Sequence, residues 1–284
     1  MKQNKPRVRF NHQSVAKVNH LMKDLKLHTV CAEATCPNLG ECFDSGTATF
    51  MILGSHCSRN CRFCDVTFGN MEAVDPAEPE NLAEAVQKMG LKHVVITSVA
   101  RDDLPDGGAE QFAKTIAAVR KLSPETTVEV LIPDFQGDKK SLDLVIAAKP
   151  EIINHNIETV ARLSPKIRHR ATYQRSLEIL AYIKQQAPNI FTKSGLMLGL
   201  GEKEAEVSEA MDDCLNAQVD FLTIGQYLQP SKRHIKLEEY ISMKQFGLYR
   251  QMGMKKGFKF VASSPQVRSS YKAHEALQAG VTKK

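Results

Sequence analysis

No apolar run in this 284-residue chain approaches the length needed to cross a bilayer, so a membrane-spanning helix is excluded. The first ten residues, MKQNKPRVRF, are polar and basic with no apolar core segment, which is not the pattern of a secretory signal. They are also too short and too poor in serine for an organellar transit peptide, and a cytoplasmic location is expected. No GxGxxG opens a helix after the first predicted strand, which argues against a dinucleotide-binding Rossmann sheet. No segment is of low complexity. Charge of one sign is in only mild excess, at a formal +6. Basic residues nevertheless cluster, with Lys166, Arg168, His169 and Arg170 in one group and Lys232, Arg233, His234 and Lys236 in another. Such clusters are solvated surface, or they meet an acidic protein or nucleic acid. Hydrophobic content of 42% with 25% charged residues is that of a globular chain with a sizeable core.

From residue 48 onward, short apolar runs alternate with amphipathic segments. The runs are 49–54, 93–99, 127–132, 151–157, 193–200 and 221–226. Helices are predicted over 80–89, 110–122, 141–148, 176–186, 204–217 and 238–256, where apolar residues recur at spacings of three and four. Strands apolar on both faces imply a parallel sheet wrapped by helices. The even repeat predicts an α/β fold, a partial (β/α)6 barrel of TIM type spanning 48–257. Residues 1–47 then form an amino-terminal extension, and 258–284 a tail closing over the barrel mouth. Residues at the carboxyl ends of the strands form the rim where barrel active sites sit.

Cysteine is scarce outside one region. Of seven, six lie between positions 31 and 64, and only Cys214 lies beyond. In a reducing compartment, clustered cysteines are metal ligands more readily than disulfides. Cys57, Cys61 and Cys64 read C-x3-C-x2-C directly after the first strand, on the rim. Zinc modules draw cysteines in C-x2-C pairs, and ferredoxin-type clusters use four cysteines. Here the fourth ligand comes from elsewhere, such as His56 at a zinc ion, or one corner is left open. Three thiolates can hold three corners of a [4Fe–4S] cube, leaving the fourth iron to an exchangeable amine and carboxylate. S-adenosylmethionine has both. One-electron cleavage of its sulfonium yields a 5′-deoxyadenosyl radical, which removes hydrogen from unactivated carbon as no acid or base side chain can. Phe63, inside the loop, either shields a cluster from water or packs.

C-x3-C-x-aromatic-C after the first strand of an α/β repeat resembles the signature of radical S-adenosylmethionine enzymes. Gly195 to Glu202 likewise resembles that superfamily's G-x-I-x-G-x-x-E strand. The resemblance implies that Gly195 and Gly199 let the backbone approach the adenine. Thr97 and Ser98 would lie at the methionyl amine, and Asn156 and Glu158 at the ribose and amino groups. Thr97, Ser98 and Asn156 could equally cap strand ends. A second trio, Cys31, Cys36 and Cys42, reads C-x4-C-x5-C. Cys214 could complete it, although apolar helix neighbours favour a buried side chain. The two trios together resemble the lipoyl synthase family, in which the first holds an auxiliary [4Fe–4S] cluster. The tail VRSSYKAHEA matches that family's R-S-S-Y, and the match makes Ser270 the fourth auxiliary ligand. ATCPNLGECF, TSVARDDLPDGGAEQF, NHNIETV and TIGQYLQPS agree as well, whereas Ser264 stands before Pro265 where glycine is commoner.

What the resemblance implies is insertion of two sulfurs, at C6 and C8, into an octanoyl chain on a lysine of a lipoyl carrier domain. Those carriers are 2-oxo acid dehydrogenase subunits and the glycine cleavage protein. The auxiliary cluster would be the sulfur donor, reloaded by an iron–sulfur carrier, and a flavodoxin- or ferredoxin-type protein would supply electrons. Arg101 and Asp102 would help set the position of the S-adenosylmethionine. Asp102, Asp103 and Asp106 otherwise read as turn formers and caps, and His155 and His169 as structural or surface residues. Two rival readings are a sulfur-inserting radical enzyme acting on transfer RNA, for which no RNA-binding module follows the barrel, and a non-catalytic iron–sulfur protein.

Overall fold

The computed structural model describes residues 20–29, 47–270 and 273–281. Among the described residues the main sheet has eight strands. In chain order they are β1 (His28–Thr29), β2 (Thr47–Ile52), β5 (His93–Ser98), β6 (Thr127–Leu131), β7 (Ile152–Asn154), β8 (Phe191–Leu198), β9 (Phe221–Gln226) and β10 (Phe260–Ser263). Two short strands, β3 (His56–Cys57) and β4 (Thr67–Phe68), pair separately in the loop after β2. β1 lies antiparallel on β2, and every later pairing is parallel. Among the described residues β10 does not pair back onto β1 or β2, so the barrel is partial and open on one side.

The helices between strands are α1 (Glu78–Met89), α2 (Ala109–Leu122), α3 (Lys139–Ala147), α4 (Ser164–Ile167), α5 (Tyr173–Gln186), α6 (Glu204–Asn216) and α7 (Met243–Lys256), and α8 (Ala273–Val281) follows the last strand. Their starts are capped as the sequence allows. Asp138, Thr172 and Ser242 accept from the third backbone N–H beyond them at α3, α5 and α7. α2 buries Phe112, Ile116 and Val119, the helical spacing that faces a sheet. Strand alternation divides the side chains: Phe50 and Ile52 of β2 join Val94 and Ile96 of β5 beneath the helices, while Thr49, Met51 and Thr97 face inward. Cys214 is fully buried on α6, among Val207, Met211 and Leu222. No described helix is long and apolar enough to cross a membrane.

The sheet has one parallel strand more than the repeat predicts. β10 falls within the expected tail, where no helix follows promptly to mark it as part of the series. The tail also reaches both ends of the barrel. Val267 to Ser270 line the cavity at the carboxyl ends of the strands. α8 then packs Ala276 against Ile152, Phe191 and Phe221, the first residues of β7, β8 and β9.

Inside the barrel a charged pair is fully enclosed. Lys193 Nζ lies 2.8 Å from Glu129 Oε1, with the two side chains 1% and 0% exposed. Asn154 Nδ2 donates to the same oxygen at 3.2 Å, and the His93 ring stands 3.6 Å from Oε2. Burial alone raises a carboxyl pKa, but the ammonium beside it outweighs that and holds Glu129 below its usual range. A depressed carboxylate stabilises the fold above the ordinary carboxylate pKa and loses that contribution as pH falls through the acid range. Lys193→Met leaves a buried charge uncompensated and is expected to cost about 3–5 kcal/mol. Lys193→Met/Glu129→Gln should cost clearly less, as read from urea unfolding midpoints at neutral pH.

Candidate active site

β2 delivers the chain to the rim at Ile52, and the next two residues turn it sharply. Leu53 and Gly54 have φ of 70° and 91°. A Cβ on Gly54 would collide with the Glu72 carboxylate. That carboxylate accepts from Ser55 N at 3.0 Å and Ser55 Oγ at 2.9 Å, and it holds His56 Nδ1 at 3.0 Å. His56, its Nδ1 held by Glu72, does not line the cavity whose wall bears the three cysteines, and that placement argues against it as their fourth ligand. β3 and β4 then pair, and Gly69 N donates to Cys57 O at 3.0 Å.

The cysteine loop is fixed at four further points. Ser58 N donates to Ala100 O at 2.9 Å, while Ala100 N and Arg59 N donate to Cys57 Sγ at 3.3 and 3.4 Å. Arg59, 7% exposed, reaches both oxygens of Asp102 at 2.8 and 2.6 Å and Asp134 Oδ1 at 2.6 Å. Burial opposes the guanidinium's charge, and the two carboxylates outweigh it. Arg62 N donates to Ile167 O, and His234 Nε2 lies 3.0 Å from Cys64 O. Phe63 lines the cavity and also packs on the core.

Cys57, Cys61 and Cys64 are free thiols on the wall of one cavity of about 600 Å³. Burial pushes Cys61 up to about 11 and Cys64 up to about 12, so both are protonated thiols at neutral pH, and iron binding would release their protons. Thr97, Ser98, Asn156, Glu158, Gly195 and Ser270 line the same cavity. Thr97 has spent its hydroxyl on Leu131 O at 2.9 Å, which ties β5 to β6. Ser98 Oγ and Asn156 Oδ1 are buried with no partner, and so is Nε of Arg168, another wall residue. Three orphaned polar atoms around one cavity fit a polar ligand that supplies their bonds. Asn156 Nδ2 donates to Glu158 Oε1 at 3.1 Å, and burial raises the Glu158 pKa against the pull of Arg168. Gly195 is required by close packing, since a Cβ would come 2.5 Å from Thr223 Oγ1 and 2.9 Å from Asn156 Oδ1.

Gly199 departs from expectation. It is not on the cavity wall, and both of its backbone groups are taken. Its N–H goes to Glu202 Oε2 at 2.9 Å, and its carbonyl accepts from Glu238 N at 2.8 Å. With φ of 111°, it turns the chain after β8 and packs against the segment before α7. Cys31, Cys36, Cys42 and Tyr271 lie outside the described residues.

Sequence reasoning missed Arg59, Asp134, Arg168 and Gly225. Arg168 sits in a basic run that reads as surface, yet it is 4% exposed, donating to Asn156 O at 2.9 Å, while Lys166, His169 and Arg170 are exposed. Asp102 fastens Arg59, Asp103 pairs with buried Arg101, and only Asp106 caps a helix, accepting from Gly108 N and Glu110 N. His155 is structural, with Nδ1 bonded to Ile132 O at 2.9 Å and burial holding its pKa down at about 4. A Cβ on Gly225 would collide with Val267 O, so this glycine sets how closely the tail approaches the wall.

Three thiols in a rim loop of an open parallel barrel, beside orphaned polar groups, define a class. The Radical SAM superfamily model matches residues 51–214. Solved structures with the same fold include Streptococcus suis SuiB bound to S-adenosylmethionine, at TM-score 0.61 and 11% identity over 89% of this chain and 55% of that one. Methylornithine synthase PylB matches at TM-score 0.57 and 11% identity over 95% of each chain. Much nearer in sequence is the lipoyl synthase of Alkaliphilus metalliredigens, 56% identical over 261 residues, 92% of this chain and 90% of that protein. The lipoyl synthase of Caldanaerobacter subterraneus subsp. tengcongensis is 52% identical over 95% of both chains. The chain belongs to the lipoyl synthase family of the radical S-adenosylmethionine superfamily. Its cofactors are accordingly S-adenosylmethionine and two [4Fe–4S] clusters.

Two outcomes follow from this geometry. Arg59→Ala leaves the buried Asp134 carboxylate with Arg175 as its one remaining cation and frees the cysteine loop. Iron bound per chain after anaerobic reconstitution should fall by about half, with far-ultraviolet circular dichroism unchanged. Gly225→Ala pushes Val267 away from β9 and shifts the tail bearing Ser270. Proteolysis between residues 264 and 272 should then accelerate several-fold over the parent protein.

Proposed function

We propose that the enzyme inserts two sulfur atoms, at C6 and C8, into an octanoyl chain amide-linked to a lysine of a lipoyl carrier protein. The observation that carries this reading is the presence of Ser270 on the wall that also bears Cys57, Cys61 and Cys64. A radical generator and a sulfur donor must act on the same carbon chain, and one shared cavity brings their ligands together. Bound there, S-adenosylmethionine and its cluster supply a radical able to remove hydrogen from an unactivated methylene, and the auxiliary cluster supplies sulfide.

The residues of the chain hold and orient. Cys57, Cys61 and Cys64 provide three thiolates and leave one corner free. Ser98 Oγ, Asn156 and Glu158 offer hydrogen bonds to the amino and ribose groups of S-adenosylmethionine, and Gly195 keeps the wall thin beside them. Thr97 shapes the wall with its methyl, its hydroxyl being committed to β6. Ser270 joins Cys31, Cys36 and Cys42 as the auxiliary ligand. A hard serine oxygen holds iron less durably than a soft thiolate, which suits a cluster that is dismantled in turnover. Apolar wall residues Met51, Leu131, Val99 and Leu196 accept the acyl chain and keep water out.

In this reading 1–47 is the extension that carries auxiliary ligands, the barrel begins at 48 and runs on through β10, and the rest of 258–284 is the tail; the protein works in the cytoplasm. Its macromolecular partners are octanoylated subunits of 2-oxo acid dehydrogenases and of the glycine cleavage system. A flavodoxin- or ferredoxin-type donor supplies electrons, and an iron–sulfur carrier restores the auxiliary cluster. The test is a mass spectrum of an octanoyl-lysyl carrier peptide after anaerobic incubation with reconstituted protein, S-adenosylmethionine and strong reductant. Gain of two sulfurs is expected, and Ser270→Ala should reduce that yield at least tenfold. An unchanged peptide with 5′-deoxyadenosine still produced would discard the substrate.

A further inference from the structure

The chain enters the cysteine loop through a residue held in a conformation that its side chain disfavours. Leu53, the first residue after β2, has φ of 70°, in the left-handed region that a bulky L-residue rarely adopts. It is buried, and three neighbours fix it there. Its N–H donates to both carboxylate oxygens of Glu78, at 3.0 and 3.1 Å. Its carbonyl accepts from Arg101 Nη1 at 3.1 Å. Its side chain fills the space beside Gly108, where a Cβ would come 2.2 Å from Leu53 Cδ1. The two polar clamps are braced in turn. Gln111 Nε2, on α2, donates to Glu78 Oε2 at 2.9 Å, and Asp103 holds the Arg101 guanidinium at 2.8 Å. Glu78, Arg101 and Gln111 are buried, yet neither they nor Leu53 line the cavity.

Burying a carboxylate is costly, and here both oxygens of Glu78 are spent on Leu53 N and Gln111 rather than on a group of the cavity. Cys57 lies four residues beyond Leu53. Four residues of chain span up to about 13 Å, so rotation at this one dihedral displaces the first cysteine by ångströms. A functional site needs its groups placed within about 0.5 Å. Arg59 secures the middle of the loop, whereas the direction in which the loop leaves β2 depends on Leu53. We infer that Glu78 is a positioning residue for the cluster held by Cys57, Cys61 and Cys64, its carboxylate fixing Leu53 in the left-handed conformation that aims the loop. The inference rests on the ligand assignment made above and is independent of the substrate.

The test uses full-length protein reconstituted anaerobically, with Cys31, Cys36 and Cys42 replaced by alanine so that one cluster remains. Amide exchange read by mass spectrometry, without S-adenosylmethionine, reports on residues 53–56. The change that S-adenosylmethionine causes in the electron paramagnetic resonance spectrum of the reduced cluster gives its affinity. Glu78→Ala leaves the Leu53 N–H with no acceptor. Exchange at 53–56 should accelerate on the order of tenfold, as loss of a hydrogen bond to a charged group implies, and affinity should weaken by a similar factor. Glu78→Gln keeps one oxygen for Leu53 N and should change both by less. If Glu78→Ala does not fold, Glu78→Gln carries the comparison, with several-fold changes expected. Val207→Ala, in the separate apolar cluster beneath α6, lowers overall stability and controls for it. It should leave exchange at 53–56 and the affinity as in the parent protein. Unchanged exchange at 53–56 in Glu78→Ala would overturn the inference, and so would an equal loss of affinity in Val207→Ala. Cys57→Ala separates this result from the ligand assignment. It should strip the iron, and retained iron would overturn that assignment, and the role inferred for Glu78 with it, whatever the exchange at Leu53.

Discussion

A loop that offers three sulfurs and no fourth must hold its own shape, and the buried bridge from Arg59 to Asp102 and Asp134 does most of that holding. Arg59 stands between Cys57 and Cys61 in the sequence, and its guanidinium ties the loop to the ends of β5 and β6 at once. Its planar fork meets Asp102 in bidentate fashion, a geometry that lysine's point charge cannot reproduce. Both carboxylates are largely shielded from water, so their attraction for the guanidinium is weakly screened. The same loop forms part of the cavity wall, so fixing it fixes that wall.

The barrel divides its interior by polarity. Low in the lumen, Glu129 and Lys193 neutralise each other's charge in an enclosed network with Asn154, whose Oδ1 is left without a partner. One layer higher, Ser98 and Asn156 retain unspent hydrogen-bonding atoms. Buried polar groups normally find partners, and of these two layers only the upper one borders the cavity where a ligand could supply them. α8 packs at the amino ends of the strands, and the segment before it reaches the carboxyl rim. The tail thus carries Ser270 to the cavity and is anchored at the far end of the barrel.

The strand and helix pattern was legible because each element obeys its own period, and the six predicted helices agree with the structure to within a few residues except at the start of α7. β10 was missed because four residues with no helix close behind them carry little periodic signal. The cysteine spacing and the tail serine were legible as motifs, and the structure brings Cys57, Cys61, Cys64 and Ser270 to one wall. Gly195 and Gly199 look alike in the sequence, yet one packs inside the lumen and the other turns the chain outside it. That difference depends on Thr223 and Glu238, residues distant in sequence. Arg168 was hidden by its exposed neighbours, since a run of basic residues does not say which one points inward. Arg59 was hidden for the opposite reason, because its meaning comes from Asp102 and Asp134, more than forty positions away.

The central claim is that the fourth corner of the cluster at Cys57, Cys61 and Cys64 is taken by S-adenosylmethionine itself. Electron–nuclear double resonance on the reduced protein, with Cys31, Cys36 and Cys42 replaced by alanine to leave one cluster, tests it directly. S-adenosylmethionine labelled with nitrogen-15 at the amine and oxygen-17 at the carboxylate should show hyperfine coupling at both nuclei, as direct ligation requires. Absence of coupling to either label, in protein that carries a full cluster and binds the cofactor, would contradict the account.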